Sequence, residues 1–197
     1  MKILIDNGHG METPGKRSPD GFFREFAYTR EIAARIVARL SKLGYDAELL
    51  VPESRDVPLR TRCRRANMIC NELGKENVLL VSVHVNAAAS DGQWHNASGW
   101  SAYTTEGITR ADLLAFDLYE SAKKYLKGQK IRMFNGPDEP DFEAGFYILK
   151  HTRCAAVLTE NMFQDCSADV AFLLSEKGKE ALIRLHVEGI LRYILNT

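Results

Sequence analysis

The alternation of strand-like and helix-like segments is the feature that most constrains what this chain can fold into. Short apolar runs, such as "LLVSVHV" at residues 79–85, alternate with longer segments whose apolar residues recur at helical spacing. Strands are predicted at residues 2–6, 45–51, 77–85, 99–105, 130–134 and 154–161. Helices are predicted at residues 25–44, 59–74, 110–126, 170–174 and 177–195. This order predicts an α/β fold in which helices flank both faces of a mostly parallel, twisted central sheet.

The composition is that of an ordinary globular protein. Hydrophobic residues make up 45% of the 197 residues, which is enough for the core of a single domain spanning residues 1–197. The 26 basic and 26 acidic residues balance, so the charge does not indicate a nucleic-acid-binding protein. No apolar run is long enough to span a membrane, and the first ten residues lack the pattern of a secretion signal. We therefore expect no nucleic-acid partner and no membrane insertion.

One arginine-rich stretch, "RTRCRRAN" at residues 60–67, is the exception to the even charge distribution. An apolar stripe at helical spacing runs through it, so its arginines are expected on the solvated side of a helix. The four cysteines form no C-x-x-C pair and lie in apolar or partly apolar contexts. They are predicted to be buried free thiols. These cysteines are Cys63, Cys70, Cys154 and Cys166.

Polar side chains that can bind or catalyse follow several of the predicted strands. His9 follows the first strand, His84 lies near the end of the third and Glu160 lies at the end of the last. A further carboxylate, Glu25, begins the first helix, and the preceding loop can bring it back toward His9. Because sites in open α/β sheets form at the carboxyl ends of strands, these four residues are the candidate site.

The residue types in this set suit a catalytic zinc site. Zinc binds neutral imidazole and carboxylate oxygen, and a catalytic site keeps one position for water. A glutamate that is not a ligand can take the proton of that water and pass it to a leaving amine. Each residue also has a purely structural interpretation, such as a hydrogen-bonded core histidine at His84 or a favourable charge at a helix start for Glu25. Spacing alone leaves both interpretations open.

An ordered set of motifs narrows the interpretation. The motifs are "IDNGHGMETPG" (5–15), the helical segment that begins at Glu25, "LRTRCRRAN" (59–67), "LLVSVHVNAAA" (79–89), "GWSAYTT" (99–105) and "AAVLTENMFQD" (155–165). Together they resemble the landmarks of the zinc-dependent N-acetylmuramoyl-L-alanine amidases of the amidase type 3 family, over nearly the whole chain. The resemblance implies that His9, Glu25 and His84 bind Zn²⁺ and that Glu160 is the catalytic glutamate.

The resemblance also implies the reaction and its setting. The substrate is peptidoglycan, in which the amide between N-acetylmuramic acid and L-alanine is hydrolysed. The chain is expected to be a monomeric single catalytic domain with no separate cell-wall-binding domain. Such a domain would suit a phage or prophage endolysin, or a trimmed exported amidase. Because the chain shows no leader, action in the periplasm or outside the cell would require leader removal or release by a holin or at lysis.

The chain departs from the family pattern just after Glu160. Many relatives have Gly-Phe-x-x-Asn beginning two residues later, whereas this chain has Met162, Phe163 and Cys166 at the corresponding positions. The departure affects the expected shape of the substrate cleft and leaves the candidate ligands unchanged. The loops are too short for the autoinhibitory helix of some relatives, so an accessible zinc site is expected.

Three other functions fit parts of the pattern. A zinc peptidase acting on free or stem peptides would use the same site. A non-catalytic peptidoglycan-binding module would have lost a ligand or the catalytic glutamate. A thiol enzyme would need an activated thiolate at Cys154 or Cys166, with His151 as its base.

Several residues near the candidate site have weaker assignments. Trp94 and Trp100 could stack on sugars at the rim of a cleft, although Trp100 is equally expected to point into the core. Asn86 and Arg65 are expected to order the site loop and the packing of helix on sheet. The remaining histidines, His95, His151 and His186, are expected not to be ligands.

Overall fold

A single six-stranded sheet organises the molecule. The computed structural model describes all 197 residues. The strands are β1 (Lys2–Asn7), β2 (Asp46–Leu49), β3 (Val78–Asn86), β4 (Ser101–Thr104), β5 (Phe142–Glu143) and β6 (Ala155–Phe163). Their order across the sheet is β2-β1-β3-β6-β4-β5, and only the β4–β6 pair is antiparallel. The predicted mostly parallel sheet is therefore confirmed.

Six α-helices connect and cover the strands. They are α1 (Glu25–Lys42), α2 (Leu59–Leu73), α3 (Arg110–Tyr125), α4 (Tyr147–His151), α5 (Ser167–Leu174) and α6 (Glu176–Asn196), and a 3₁₀ turn spans Lys75–Asn77. None of these helices combines the length and the apolar character needed to cross a bilayer.

The helices divide between the two faces of the sheet. One face carries α1, α3, α5 and α6 over a core of 31 buried residues, and the other carries α2 and α4 over a core of 14. Successive residues of β1 alternate between them, with Ile3 and Ile5 in the larger core and Leu4 in the smaller. Because both faces are covered, the strands read as nearly continuous apolar runs. The predicted covering of both faces is confirmed.

The four cysteines are all buried and free of disulfides, as predicted. Cys63, Cys70 and Cys154 belong to the smaller core, under α2 and α4. They act there as small apolar side chains.

The edge of the sheet beyond β4 differs from the prediction. Residues 130–134 were expected to form a strand, but only Ile131 pairs, in a single bridge to Trp100. The chain then leaves the sheet in a turn closed by hydrogen bonds from the Phe134 and Asn135 amides to the carbonyls of Pro140 and Glu139. The edge strand is instead the two-residue β5, which is too short to show periodicity.

One histidine, His186 on α6, is buried beside the larger core and forms two hydrogen bonds there. His186 is fully buried; its Nε2 lies 2.9 Å from the Thr159 hydroxyl and its Nδ1 lies 2.7 Å from the Leu182 carbonyl. The ring is therefore neutral, with Nδ1 donating to the carbonyl and Nε2 accepting from the hydroxyl. Burial lowers the pKa of His186 to about 4. As expected, this histidine lies outside the candidate site.

The buried neutral His186 predicts a specific loss of stability in acid. A folded-state pKa below the unfolded value means that the unfolded chain binds the proton first, so stability falls as the pH drops below about 6.5. Between pH 7.5 and pH 5 this one group should remove about 2 kcal/mol from the free energy of unfolding.

The measurement is urea unfolding of the wild type and of His186→Leu at both pH values. The variant is less stable at pH 7.5 because it loses two hydrogen bonds, but its further loss at pH 5 should be smaller than that of the wild type by about 2 kcal/mol. Equal losses in the two proteins would contradict the assignment of a neutral buried ring.

Candidate active site

Three of the four candidate residues converge at the carboxyl ends of β1 and β3. Glu25 Oε1 lies 3.5 Å from His9 Nε2 and 3.3 Å from His84 Nδ1, and the two imidazole rings meet edge to face with centroids 5.0 Å apart. Glu25 is completely buried, whereas the side chains of His9 and His84 are 21% and 16% exposed. The cluster therefore has a buried base and an open side, where a cavity reaches the surface past both imidazoles.

The spacing of these atoms fits a tetrahedral cation site. Zinc–ligand distances of about 2.0–2.1 Å place neighbouring ligand atoms of a tetrahedron about 3.3 Å apart. The donor atoms of His9, Glu25 and His84 all lie within 4.8 Å of one another, and the two shortest separations match this value. Glu25 Oε1 also accepts a hydrogen bond of 2.9 Å from the Val85 amide, while its buried Oε2 has no hydrogen-bond partner. These features suit a set of metal ligands, a role that stays a prediction.

Two glycines allow the backbone to carry His9 into this position. His9 itself has a φ of 61°, in the left-handed region that side chains rarely adopt. A Cβ at Gly8 would lie 2.6 Å from His84 Cε1, and one at Gly10 would lie 2.0 Å from the Asp56 amide nitrogen. The residues on both sides of His9 therefore have no room for a side chain, because Gly8 faces the imidazole of His84 and Gly10 faces the backbone at Asp56.

A buried arginine fixes the loop from below. Arg62 on α2 is 2% exposed and pairs at 2.8 Å with Asp6, which is also buried. Its guanidinium also donates to the carbonyls of Asn7, His9 and Val57. The expectation that the arginines of residues 60–67 face solvent is therefore wrong for Arg62. Arg62 lies on α2 at the border between the apolar stripe and the solvent-exposed side. At this border the end of β1 supplies acceptors for the guanidinium.

Burial and the neighbouring charges shift the pKa values of His9, Glu25 and His84. Burial lowers the pKa of His9 to about 4, so the imidazole is neutral and able to bind a cation. Burial opposes ionisation of Glu25, but its hydrogen bond and charge interactions with His84 outweigh this and lower the pKa of the carboxyl. Burial likewise opposes protonation of His84, and the partner Glu25 outweighs it and raises the pKa of that ring. The cluster thus holds a buried carboxylate that is kept ionised mainly by its interaction with His84.

The fourth candidate, Glu160, lies beside the cluster without belonging to it. It is paired in register with His84 across the β3–β6 ladder, so both side chains are on the same face of the sheet. Burial raises the pKa of Glu160 to about 7. The charge of His84 opposes this rise and that of Glu25 adds to it, whereas Lys16 and Arg132 oppose it with smaller contributions. Its Oε2 is buried without a hydrogen-bond partner. The site therefore places a carboxyl group that can exchange a proton near neutral pH next to three potential ligands.

The residue after Glu160 connects the ends of β3 and β6. Asn161 is completely buried; its Nδ2 donates to the His84 carbonyl at 2.9 Å, and its Oδ1 accepts from Trp100 Nε1 at 2.9 Å. Trp100 is also completely buried, which excludes it from stacking on a sugar and agrees with the inward alternative. Sequence reasoning did not identify Asn161 as a positioning residue, because its partners are distant in the chain.

The other weakly assigned residues divide between surface and scaffold. Trp94 is 42% exposed, so it stays a candidate for contact with a ligand. The Asn86 carbonyl accepts from the Gln164 amide, and the Arg65 guanidinium pairs with Glu53. The ordering roles expected of these two residues stay predictions.

The departure from the family pattern at Met162 leaves a glycine-like backbone in place. Met162 has a φ of 69° and is completely buried. Such a conformation costs a side chain of the order of 1–3 kcal/mol, which the burial of the thioether offsets. The turn is held by Asp169, whose Oδ2 accepts from the amides of Phe163 and Gly99.

The chemistry of the thiols argues against a thiol enzyme. A nucleophilic cysteine needs a lowered pKa and an exposed sulfur. Burial instead raises the pKa of the Cys154 thiol far above its usual value. His151 lies at the end of α4 with its ring against that of Tyr147, at a centroid distance of 4.0 Å.

Comparison with known proteins assigns a family model to nearly the whole chain. The model described as N-acetylmuramoyl-L-alanine amidase, of the amidase type 3 group, matches residues 3–192. Over 192 residues the chain is 26% identical to the sporulation-specific N-acetylmuramoyl-L-alanine amidase of Bacillus subtilis, covering 96% of this chain and 67% of that protein. Over 194 residues it is 28% identical to the endolysin of Bacillus phage SPP1, covering 95% and 64%.

A solved structure supports the fold. The N-acetylmuramoyl-L-alanine amidase from Clostridium difficile 630 superimposes with a TM-score of 0.81 and 24% identity, covering 100% of this chain and 97% of that one. The likeness shows that the two proteins share the same α/β fold.

The buried contacts of Arg62 predict a large effect of its removal. Arg62→Met leaves Asp6 as an uncompensated buried charge, and it should lower the free energy of unfolding by about 3–5 kcal/mol. Arg64→Met is the matched control, because this neighbouring arginine is exposed and should change stability by about 0.5 kcal/mol or less. Urea unfolding of both variants in the presence of a chelator measures the difference. Similar effects of the two substitutions would contradict the bracing role of Arg62.

Proposed function

The chain belongs to the amidase type 3 family of N-acetylmuramoyl-L-alanine amidases, and on this premise we propose that it hydrolyses the amide between N-acetylmuramic acid and L-alanine of peptidoglycan with one bound zinc ion. The observation that supports the proposal most directly is the convergence of His9, Glu25 and His84, with Glu160 beside them. Family membership supplies the reaction, and the cluster supplies residues able to perform it.

We assign His9, Glu25 and His84 as the ligands of the zinc ion. Two neutral imidazoles and a carboxylate are a common ligand set for catalytic zinc, and the unpartnered Glu25 Oε2 is a buried polar atom that a cation would satisfy. When bound, zinc would polarise the attacking water and the scissile carbonyl. The Val85 amide orients Glu25, and Gly8 leaves the space that the ring of His84 fills.

Glu160 is the proposed general base and general acid. Its carboxylate would take a proton from the attacking water and then donate it to the departing amine of L-alanine. A carboxyl with a pKa near 7 suits both steps, since it can gain and lose a proton near neutral pH. Asn161 would keep the ends of β3 and β6 together, and so hold Glu160 at a constant position relative to His84.

The setting of the reaction follows from the substrate. We propose that the protein acts on the cell wall, in the periplasm or outside the cell, and that it acts as a monomer. The likeness to a phage endolysin supports a lytic role as one form of this activity. A single catalytic domain over residues 1–197 stays part of the proposal.

The proposal predicts that catalysis and metal binding can be separated by mutation. Glu160→Gln should retain one zinc per chain and lose activity by a factor of about 10² or more, because it removes a proton-transfer group and no ligand. His84→Ala should lose both zinc and activity. Glu106→Gln, at an exposed carboxylate beyond β4, is the matched control and should behave as the wild type.

The measurement is digestion of purified peptidoglycan, with mass spectrometry of the products and determination of bound zinc. The wild type should release stem peptides with an L-alanine amino terminus, and a chelator should stop the release. Cleavage within the stem peptide would instead indicate a zinc peptidase. Zinc-loaded protein that cuts nothing would indicate a peptidoglycan-binding module.

A further inference from the structure

Arg132, like Lys16, is a cationic side chain whose charge acts on Glu160, and it has no part in the proposed catalysis. Arg132 follows the single bridge between Ile131 and Trp100. Its amide donates to the Trp100 carbonyl at 2.8 Å, and its carbonyl accepts from the Tyr119 hydroxyl at 2.8 Å. Although its segment is not a strand, the backbone of Arg132 is therefore fixed on both sides.

The pairing pattern places Arg132 on the same face of the sheet as Glu160. Glu160 pairs with Ser101 on β4, and Trp100 precedes Ser101 and pairs with Ile131. Ile131 packs against the larger core, so the next side chain, Arg132, points to the opposite face, where Glu160 and His84 lie. Strands are about 4.8 Å apart, so Arg132 starts about 10 Å from Glu160 along the sheet.

Aromatic side chains hold the guanidinium of Arg132 over this face. Its Cζ lies 5.1 Å from the ring centroid of Phe163 and 5.6 Å from that of Phe142. Phe163 is at the end of β6, three residues after Glu160, so the guanidinium is directed back toward the catalytic carboxyl. Its charge is close enough to lower the pKa of Glu160.

The guanidinium of Arg132 has no hydrogen-bond or ion-pair partner in the protein. Arg132 is half-buried, yet its side chain forms no ion pair and no hydrogen bond. The other half-buried or buried arginines of the chain all have acceptors, which are carboxylates for Arg62 and Arg65 and backbone carbonyls for Arg30. Stacking on aromatic rings fixes the plane of an arginine and leaves its donors free for a planar, anionic group.

We propose that Arg132 binds the free α-carboxylate of the second stem-peptide residue and so makes the enzyme selective for peptidoglycan that is not amidated at that position. The inference rests on the proposed function, because it assigns the scissile amide to the space between Glu160 and the ligand cluster. The second residue of the stem peptide is a γ-linked D-glutamate, whose α-carboxyl is free in some cell walls and amidated in others.

The lengths of the substrate and of the site agree. From the scissile nitrogen, the α-carbon of L-alanine is about 1.5 Å away, and the next α-carbon follows about 3.8 Å later. The carboxylate of the second residue therefore lies within about 7 Å of the bond that Glu160 serves. The backbone of Arg132 lies two strands away from Glu160, and its side chain extends back over Phe163. Its guanidinium can therefore reach a carboxylate about 7 Å from the scissile bond.

The test compares two soluble substrates that differ in one group. These are N-acetylmuramoyl-L-alanyl-γ-D-glutamyl-L-lysine and the same molecule with the glutamyl α-carboxyl converted to a carboxamide. A charge-assisted hydrogen bond supports a preference of about 10-fold or more in kcat/KM for the free acid. Arg132→Gln should reduce kcat/KM for the free acid to the value for the amide, mostly through KM, and leave the amide substrate almost unchanged.

Two further variants separate recognition from structure. Arg132→Lys keeps the charge without the planar fork and should restore part of the preference. Arg184→Gln, at an exposed arginine on α6, is the matched control and should keep the full preference. Thermal melting of each variant checks the fold. If Arg132→Gln reduces kcat/KM equally for both substrates, or if the wild type shows no preference, the assignment is overturned.

A binding measurement keeps the test independent of turnover. Isothermal titration calorimetry measures the affinity of two ligands, the free tripeptide L-alanyl-γ-D-glutamyl-L-lysine and its amide. Each ligand is titrated into the zinc-loaded wild type and into zinc-loaded Arg132→Gln. Tighter binding of the acid by the wild type, abolished by Arg132→Gln, supports the assignment even if the amidase reaction itself fails. Equal binding of acid and amide by the wild type overturns it.

Discussion

The buried ion pair between Arg62 and Asp6 is the interaction on which the geometry of the site depends. It lies where β1 ends, and the same guanidinium donates to the carbonyls of Asn7 and His9. Two charges removed from water are stable only when their remaining hydrogen-bonding groups are satisfied, and here backbone carbonyls of the site loop supply that compensation. The position of His9 is therefore coupled to the docking of α2 on the sheet.

The fold was predictable from sequence because its signal is repeated many times along the chain. Each buried strand and each amphipathic helix carries its own periodicity, and their order specifies the α/β architecture. The segment at residues 130–134 shows the limit of this reasoning, since one apolar pair there gives a bridge and the turn that follows prevents a strand. The same limit explains the missed β5, whose two residues pair only with β4.

The candidate site was predictable in its chemically distinctive members and not in its supports. His9, His84 and Glu160 stand out because they are polar residues at the ends of apolar strands. Glu25 was a candidate because the loop before the first helix can bring it back toward His9, and the family resemblance then gave it the role of a ligand. Arg62 was assigned to solvent because helical periodicity gives the direction of the apolar stripe but not the distant acceptors that a single arginine meets. Asn161 and Arg132 were missed for the same reason, as their partners come from other strands.

The tight contacts of Gly8 and Gly10 have a consequence for anyone who diversifies this protein. Neither position has room for a methyl group, because one faces the ring of His84 and the other faces the backbone at Asp56. Gly15 and Gly21, in the same loop, have nothing within 4 Å of an added Cβ, although their positive φ values favour glycine. A combinatorial library should therefore keep residues 8–10 constant and place its variation at the far end of the loop and around residues 132–146. Such a library would sample new substrate preferences on an unchanged reaction centre.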